Sequence, residues 1–206
     1  ELEITENNTI LVKFNIEEGK KATVKRVNFQ GNKAFNGKKL RSMIFTREDW
    51  ILGAFDKAGT YDPIMVERDK QILENFYQSN GYFTARVIDV KTDINPNTQE
   101  MDITFIIDEG EIYTIGDISV DTHDKIDKEI LLAALPVRPG QPYNKDLLRQ
   151  SIEVLRTIWG QFGYAYADIA PRPMADFENK LIDIKFDTEL GNQIFVDRIN
   201  IEGNEK

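Results

Sequence analysis

The 206-residue chain carries 35 acidic and 26 basic residues, and its net charge of −9 makes a nucleic-acid phosphate backbone an unfavourable partner. It has no cysteine, which excludes disulfides and thiolate metal sites. Its hydrophobic fraction of 41% is typical of a folded protein, and no apolar run approaches the roughly 20 residues that a membrane-spanning helix needs.

An internal repeat organises the chain. Gly19, Gly110 and Gly191 are each followed, eight and ten positions later, by apolar residues, as expected on one face of a strand. Between them a Gly-Tyr pair begins at Gly81 and again at Gly163. These markers predict tandem modules of about 80–90 residues, each large enough for its own core. Because the chain begins inside a strand-like alternation, we expect it to be a piece of a longer protein.

The predicted elements follow the same order in both modules: strand, short helix, long helix, strand, strand. In the first module they are Val24–Gln30, Lys38–Phe45, a helix capped by Asp62-Pro63, Phe83–Val90 and Met101–Ile107. In the second they are Ile115–Val120, Lys128–Leu135, a helix capped by Asn144, Tyr166–Ala170 and Leu181–Phe186, with a turn across Pro171–Glu178. The first module is longer by about nine residues, which we place between Thr46 and Gly59.

This pattern predicts an α+β fold of tandem β-α-α-β-β modules, each with two helices packed on a three-stranded mixed sheet. The predicted organisation has four parts: residues 1–19 as closing strands of a preceding module, 20–109 and 110–190 as complete modules, and 191–206 as the first strand of a following one.

Residues that carry catalysis are scarce. His123 is the only histidine, and we expect it to be an exposed turn residue. The acidic pairs Glu17-Glu18 and Asp108-Glu109 precede the repeated glycines, so we expect solvated turns rather than acid–base pairs. The calcium-like segment at Asp93 lacks the glycine and glutamate of a calcium loop. We therefore predict no enzyme activity, no metal and no cofactor; a hydrolase would require an active-site cluster.

The ordered set of markers resembles the POTRA domains of the BamA-type outer-membrane assembly family, at the third and fourth modules. The resemblance rests on Gly31-Asn32 after the first strand, on the Gly-Tyr pairs, on the junction at 194–204, and on the extra residues around Trp50. Asp121-Thr122-His123 departs from it, because Gly-Asn is common there.

The resemblance implies that the chain is a scaffold that uses no cofactor. It would form the periplasmic part of an outer-membrane protein in a Gram-negative bacterium. Its partners would be unfolded outer-membrane β-barrel proteins, accessory lipoproteins, and the C-terminal barrel of its own chain. The alternative is the corresponding region of a two-partner secretion or autotransporter-assembly transporter.

In such a module the middle strand lies at an open sheet edge, where an extended segment can add as a further strand. The predicted partner-binding residues of these strands are Phe83, Ala85, Arg86, Val87, Ile88, Val90, Tyr166, Asp168 and Ile169. Trp50 is a candidate partner anchor. The simpler alternative is that both edges are only solvated and that the modules act as rigid spacers.

Overall fold

The computed structural model describes residues 2–4, 10–12, 22–49 and 59–195, together with residues 198 and 203. Trp50 and most of the longer connection lie outside the described residues. The strands are β1 (Leu2–Ile4), β2 (Ile10–Val12), β3 (Thr23–Gln30), β4 (Arg86–Ile94), β5 (Glu100–Asp108), β6 (Thr114–Val120), β7 (Asp168–Asp176) and β8 (Leu181–Glu189). The helices are α1 (Gly37–Met43), α2 (Pro63–Gln78), α3 (Lys128–Ala134) and α4 (Lys145–Gln161).

Two three-stranded mixed sheets confirm the predicted fold class. In the first module, β3 pairs in parallel with β5, and β5 pairs antiparallel with β4. The second module repeats this arrangement with β6, β8 and β7. The last strand is therefore central in both sheets, and the first and middle strands are the edges. At the start of the chain, β1 and β2 form a separate antiparallel pair.

The predicted caps begin the long helices. The Asp62 side chain accepts the N–H of Ile64 at the start of α2, and the Asn144 side chain accepts from Asp146 and Leu147 at the start of α4. Each long helix buries one side against its sheet, with Leu73 and Tyr77 of α2 and Leu155 and Trp159 of α4 almost completely buried. None of the helices in the described part of the chain is long and apolar enough to cross a membrane.

The turn after β3 depends on glycine. Gly31 has a φ of +86°, and a Cβ added there would lie 2.0 Å from the carbonyl oxygen of Ile107. The backbone of β5 therefore approaches too closely for any side chain. This contact packs the end of the first strand onto the central strand.

The modules are joined by a hydrogen bond that recurs along the chain. The N–H of Tyr113, three residues after Gly110, donates to the carbonyl of Gly81 (2.9 Å). The N–H of Ile194, three residues after Gly191, donates in the same way to Gly163 (2.8 Å). The Gly-Tyr corner of one module thus receives the chain that enters the next.

Candidate functional site

The candidate binding site follows from a survey of the four sheet edges. An edge strand presents unpaired N–H and C=O groups, and another chain can pair with them unless something covers or removes them. The edges here are β3 and β4 in the first module, and β6 and β7 in the second.

The edge of β3 is covered by the connection between α1 and α2. Val24 donates its N–H to the carbonyl of Gly59 (2.6 Å) and accepts the N–H of Asp49 (2.7 Å). Further along, the N–H of Val27 donates to Glu48 Oε1 (2.9 Å). The outward backbone groups of Val24 and the N–H of Val27 are therefore occupied by the chain itself.

A buried carboxylate holds the beginning of this connection. Asp69 lies in the middle of α2, is fully buried, and accepts the N–H groups of Phe45 (2.6 Å) and Thr46 (2.8 Å). A buried charge is stable only with such partners. Asp69 thus positions the segment that covers β3, although the sequence offered no sign of this role beyond an acidic residue within an amphipathic helix.

The edge of β6 is covered in the same way. Ile115 donates its N–H to the carbonyl of Gln141 (2.7 Å) and accepts the N–H of Gly140 (2.8 Å). The N–H of Tyr143 donates to the carbonyl of Tyr113 (2.8 Å). In both modules, therefore, the helix–helix connection pairs with the beginning of the first strand.

The edge of β7 lacks donors at its centre. The carbonyl of Phe186 accepts the N–H of Asp121 on the β6 side, so Phe186 directs its backbone away from β7. Pro171 lies opposite Phe186, and Pro173 lies opposite Ile184. Residues of an antiparallel strand alternately direct their backbone N–H and C=O toward the partner strand and away from it. The nitrogens of both prolines therefore lie on the side away from β8. Since proline has no N–H, two successive outward positions cannot donate to an added strand.

The edge of β4 keeps its donors. The N–H of Asn95 donates to the carbonyl of Glu100 (2.8 Å). This bond shows that Asn95 faces β5 and so determines which residues of β4 face β5 and which face away. By alternation, Val90, Thr92 and Ile94 direct both N–H and C=O away from β5. These outward backbone groups are called the β4 edge below. Unlike the beginnings of β3 and β6, it is not paired with a helix–helix connection, and unlike β7 it has no proline.

The first half of β4 is less available than the second. A β-bulge lies between Val87 and Asp89 and leaves Ile88 as the extra residue, 56% exposed. The N–H of Val87 donates to Glu74 Oε1 (2.9 Å) on α2. The N–H of Val90 donates to Asp89 Oδ1 (2.8 Å), a contact local enough to exchange for an incoming carbonyl. The open donors are therefore those of Thr92 and Ile94.

The side chains of this segment differ between the two faces of the sheet. Val90 packs against the core on the helix side, and Ile94 follows it by alternation, 42% exposed. On the opposite face, Asp89, Lys91 and Asp93 are all exposed. An added strand would meet Val90, Thr92 and Ile94 on one side and a charged row on the other.

In the first module, the predicted strand start was wrong. Phe83 and Ala85 precede β4, because the Gly-Tyr corner folds back and packs. The ring centroid of Phe83 lies 4.9 Å from that of Tyr143 in the next module, and Ala85 is buried. Arg86 begins the strand and pairs with Asp108 (3.6 Å).

The other predicted residues of β4 lie in the strand but not at its most open part. Val87 is buried and held by Glu74, Ile88 occupies the bulge, and Val90 marks the beginning of the β4 edge. Thr92 and Ile94 were missed. Their signal was available, because nothing in the sequence stops the strand before the turn at Asn95-Pro96.

In the second module, the strand was also placed too early. Tyr166 is 79% exposed and precedes β7, whereas Asp168 is its first residue and Ile169 is buried. The predicted turn across Pro171–Glu178 was wrong for its first half, since β7 continues to Asp176. The strand accommodates its prolines because their nitrogens face outward. Partner binding at these residues, and at Trp50, stays a prediction.

The described residues contain no group of three or more histidine, aspartate or glutamate side chains arranged to hold a metal ion. The surface chemistry of the β4 edge is thus that of backbone amides with flanking carboxylates. It suits the non-covalent pairing of an extended chain.

Comparison with known proteins agrees with the repeated fold. The family model of POTRA, described as "Surface antigen variable number repeat", matches residues 22–110 and 113–190. The chain belongs to the POTRA family. The outer membrane protein assembly factor BamA of Neisseria meningitidis serogroup B is 28% identical over 201 residues, covering 97% of this chain and 25% of that protein. The putative outer membrane protein assembly factor of Treponema pallidum is 28% identical over 205 residues, covering 97% of this chain and 24% of that protein. The chain thus spans about a quarter of the length of these relatives.

Solved structures show the same fold. The crystal structure of Haemophilus influenzae BamA POTRA3-5 superposes with a TM-score of 0.68 at 19% identity, covering 90% of this chain and 73% of that one. BamA from Haemophilus ducreyi lacking POTRA domains 1-3 gives a TM-score of 0.61 at 16% identity, covering 84% of this chain and 30% of that one. Both comparisons agree with the strand and helix order described above.

Proposed function

We propose that this chain is a periplasmic scaffold region of an outer-membrane protein that assembles β-barrel proteins, and that the β4 edge binds extended segments of its partners. The partners are unfolded outer-membrane β-barrel proteins and accessory lipoproteins. Membership of the POTRA family, together with relatives that are named outer membrane protein assembly factors, supports the cellular setting.

The outward N–H groups of Thr92 and Ile94 carry the binding proposal. A strand that pairs there uses its main chain, so affinity depends little on the partner's sequence. A factor that handles many different β-barrel clients benefits from that indifference. Unfolded clients of this class are rich in strand-forming segments and supply the complementary backbone.

Each contact of this kind is expected to be weak. Four or five main-chain bonds, each worth about 0.5–1.5 kcal/mol net, must offset the ordering of the segment that binds. Weak binding allows release, and several modules on one chain raise the effective concentration of a client. Scaffolding and transient strand capture are therefore compatible roles of the same modules.

The substitution Thr92→Pro tests the proposal directly. It removes one outward donor, as Pro171 and Pro173 do in β7, without breaking a bond to β5. We expect affinity for an extended peptide copied from a transmembrane β-strand, measured by fluorescence anisotropy, to fall about ten-fold, since one lost hydrogen bond and a distorted edge amount to roughly 1.4 kcal/mol.

Lys91→Pro is the matched control. Lys91 directs its N–H toward β5, opposite Thr104, so proline there removes a ladder bond and destabilises the module. A Thr92→Pro chain that keeps its fold, judged by amide exchange at Phe105, and still binds the peptide as the unsubstituted chain does would contradict the proposal.

A further inference from the structure

The face of the first sheet opposite its helices carries a row of charges that ends at the β4 edge. Arg26 on β3 forms an ion pair with Asp102 on β5, with its Nε 3.1 Å from Asp102 Oδ2. This hydrogen bond, followed by the positive charge, holds the pKa of Asp102 below its usual range. Asp102 is therefore a carboxylate at neutral pH and is already neutralised from the β3 side.

Asp93 is the next residue in this row. It lies directly opposite Asp102 in the β4–β5 ladder and is exposed. Like charges placed directly opposite each other in a sheet are unfavourable. Within the described residues, no hydrogen bond or ion pair joins the Asp93 side chain to a cation. From β3 through β5 to β4, the row consists of a cation, Arg26, and two carboxylates, Asp102 and Asp93. On an added strand, the next residue of the row would lie beside Asp93.

We propose, on the basis of the proposed function, that the β4 edge selects extended segments that carry lysine or arginine at the position beside Asp93. A cation there lies beside a carboxylate that has no cation partner among the described residues, and Asp102 does not compete for it because it is already paired with Arg26. Main-chain pairing supplies the affinity, and this charge sets the register. Without it, an added strand can slide by two residues at little cost.

The neighbouring residues of β4 extend the same pattern. Asp89 lies on the same face four residues earlier, and Lys91 lies between the two carboxylates. The other side of an added strand lies beside Val90 and Ile94, which are apolar. The preferred partner segment therefore alternates apolar residues with charged or polar ones, with basic residues beside Asp93 and Asp89.

The second module lacks this feature. Met174 of β7 occupies the repeat position that corresponds to Asp93, opposite Asp183. The charges nearby are already paired: Asp187 contacts both Arg172 and Lys185. Selection for a basic segment is therefore a property of β4 and not of the repeated fold.

Three peptides of identical apolar pattern test this inference on the 206-residue chain. Their alternate positions carry lysine, glutamine or glutamate. Binding is followed by amide exchange, because an added strand protects the N–H groups of Thr92 and Ile94. We expect the lysine peptide to bind about two- to five-fold more tightly than the glutamine peptide, as one exposed ion pair allows, and the glutamate peptide to bind more weakly than either. The difference should shrink as ionic strength rises.

Asp93→Asn should remove the preference, and Asp93→Lys should reverse it toward the glutamate peptide. Glu178→Gln removes one negative charge, as Asp93→Asn does, at an exposed position in the second module and should leave the preference intact. If all three peptides protect Thr92 and Ile94 equally, and Asp93→Lys changes nothing, the charge selection is wrong while strand addition stands. If no peptide protects these amides, the proposed function fails and the selection with it.

Discussion

The two modules share one fold but differ at the strand that is free to pair. In the first, β4 keeps outward N–H groups at Thr92 and Ile94. In the second, Pro171 and Pro173 remove the donors at the centre of β7. In both modules the helix–helix connection pairs with the beginning of the opposite edge strand. The fold therefore places the middle strand at a sheet edge in both modules, and a few residues decide which of its backbone donors remain free.

The two modules also differ in the side chains that are buried near the end of the first strand. In the first module, Glu109 is buried and accepts both the hydroxyl of Tyr77 (2.8 Å) and the N–H of Ala34 (2.9 Å). Burial, and then the hydrogen bond to Glu109, raise the pKa of Tyr77 well above its usual range, so its hydroxyl remains a donor. The expectation that Asp108-Glu109 is a solvated turn was therefore wrong for Glu109.

The second module replaces this polar contact with apolar residues. Leu190 and Trp159 occupy the corresponding positions in the repeat, and both are buried. The Trp159 ring packs against His123, whose Nε2 lies 2.6 Å from the carbonyl of Thr188. His123 thus takes part in packing at the turn where the other modules have Gly-Asn. The substitutions at these positions are coupled, because a tyrosine hydroxyl beside leucine would lose its acceptor.

The largest change in stability is expected when the polar contact of the first module is replaced by the apolar residue of the second. Glu109→Leu leaves the Tyr77 hydroxyl and the Ala34 N–H without an acceptor, so the first module should lose about 2–4 kcal/mol of unfolding free energy. The Tyr77→Phe change removes one of the stranded donors. We therefore expect the double variant to lose less than the sum of the single variants.

Amide exchange at Phe105 in β5 and at Phe186 in β8 measures the two modules separately. The second module serves as the internal control, because Phe186 should keep its protection in every variant. Strict additivity of Glu109→Leu and Tyr77→Phe would mean that the buried hydrogen bond does not contribute to stability.

A smaller difference is expected between the two hairpin turns. The Asp176 side chain accepts the N–H groups of Glu178 and Asn179 (3.0 Å each), and the hydrogen bonds from Asn179 lower its pKa. A carboxyl with a depressed folded-state pKa stabilises the turn fully above its unfolded pKa of about 3.9, and that contribution disappears as pH falls through the folded-state value. The second turn should therefore loosen in acid.

The first turn supplies the comparison. Asn95 stands at the corresponding position, accepts the N–H of Asn97 (2.9 Å), and carries no titratable group. NMR titration of the turn amides from neutral to acidic pH should show a transition at Glu178 and Asn179, and Asp176→Asn should abolish it. An equal acid transition at Asn97 would show that the whole fold, rather than Asp176, is responding.

Much of this architecture could be predicted from the sequence. The repeat spacing predicted two mixed sheets, and Asp62 and Asn144 were recognised as helix caps because such signals are local. Strand boundaries were less accessible. The Gly-Tyr corners packed toward the next module instead of extending β4 and β7, and this depends on the contact between Tyr113 and Gly81.

The prolines of β7 were the most consequential error. Pro171 was assigned to a turn because proline is usually incompatible with a paired strand. A proline can lie in this strand because its nitrogen faces away from β8. Which residues of β7 face away is determined by the pairing of β8 with β6 and β7, and the local sequence does not show it. The burial of Glu109 and Asp69 likewise depends on donors from distant segments. Sequence alone thus predicted that open edges exist, but it did not identify which edge keeps its donors.

Exchanging the prolines between the modules tests the central claim most directly. One chain carries Thr92→Pro, a second carries Pro171→Thr with Pro173→Thr, and a third carries all three substitutions. Amide exchange at Ile94 and at Ala175 is measured with and without an extended β-strand peptide. At a peptide concentration near the dissociation constant of the unsubstituted chain, we predict protection at Ile94 in that chain, little protection at either strand in the first variant, protection at both strands in the second, and protection at Ala175 alone in the third. Protection that stays at Ile94 in all three chains, or that is absent from the unsubstituted chain, would contradict the account.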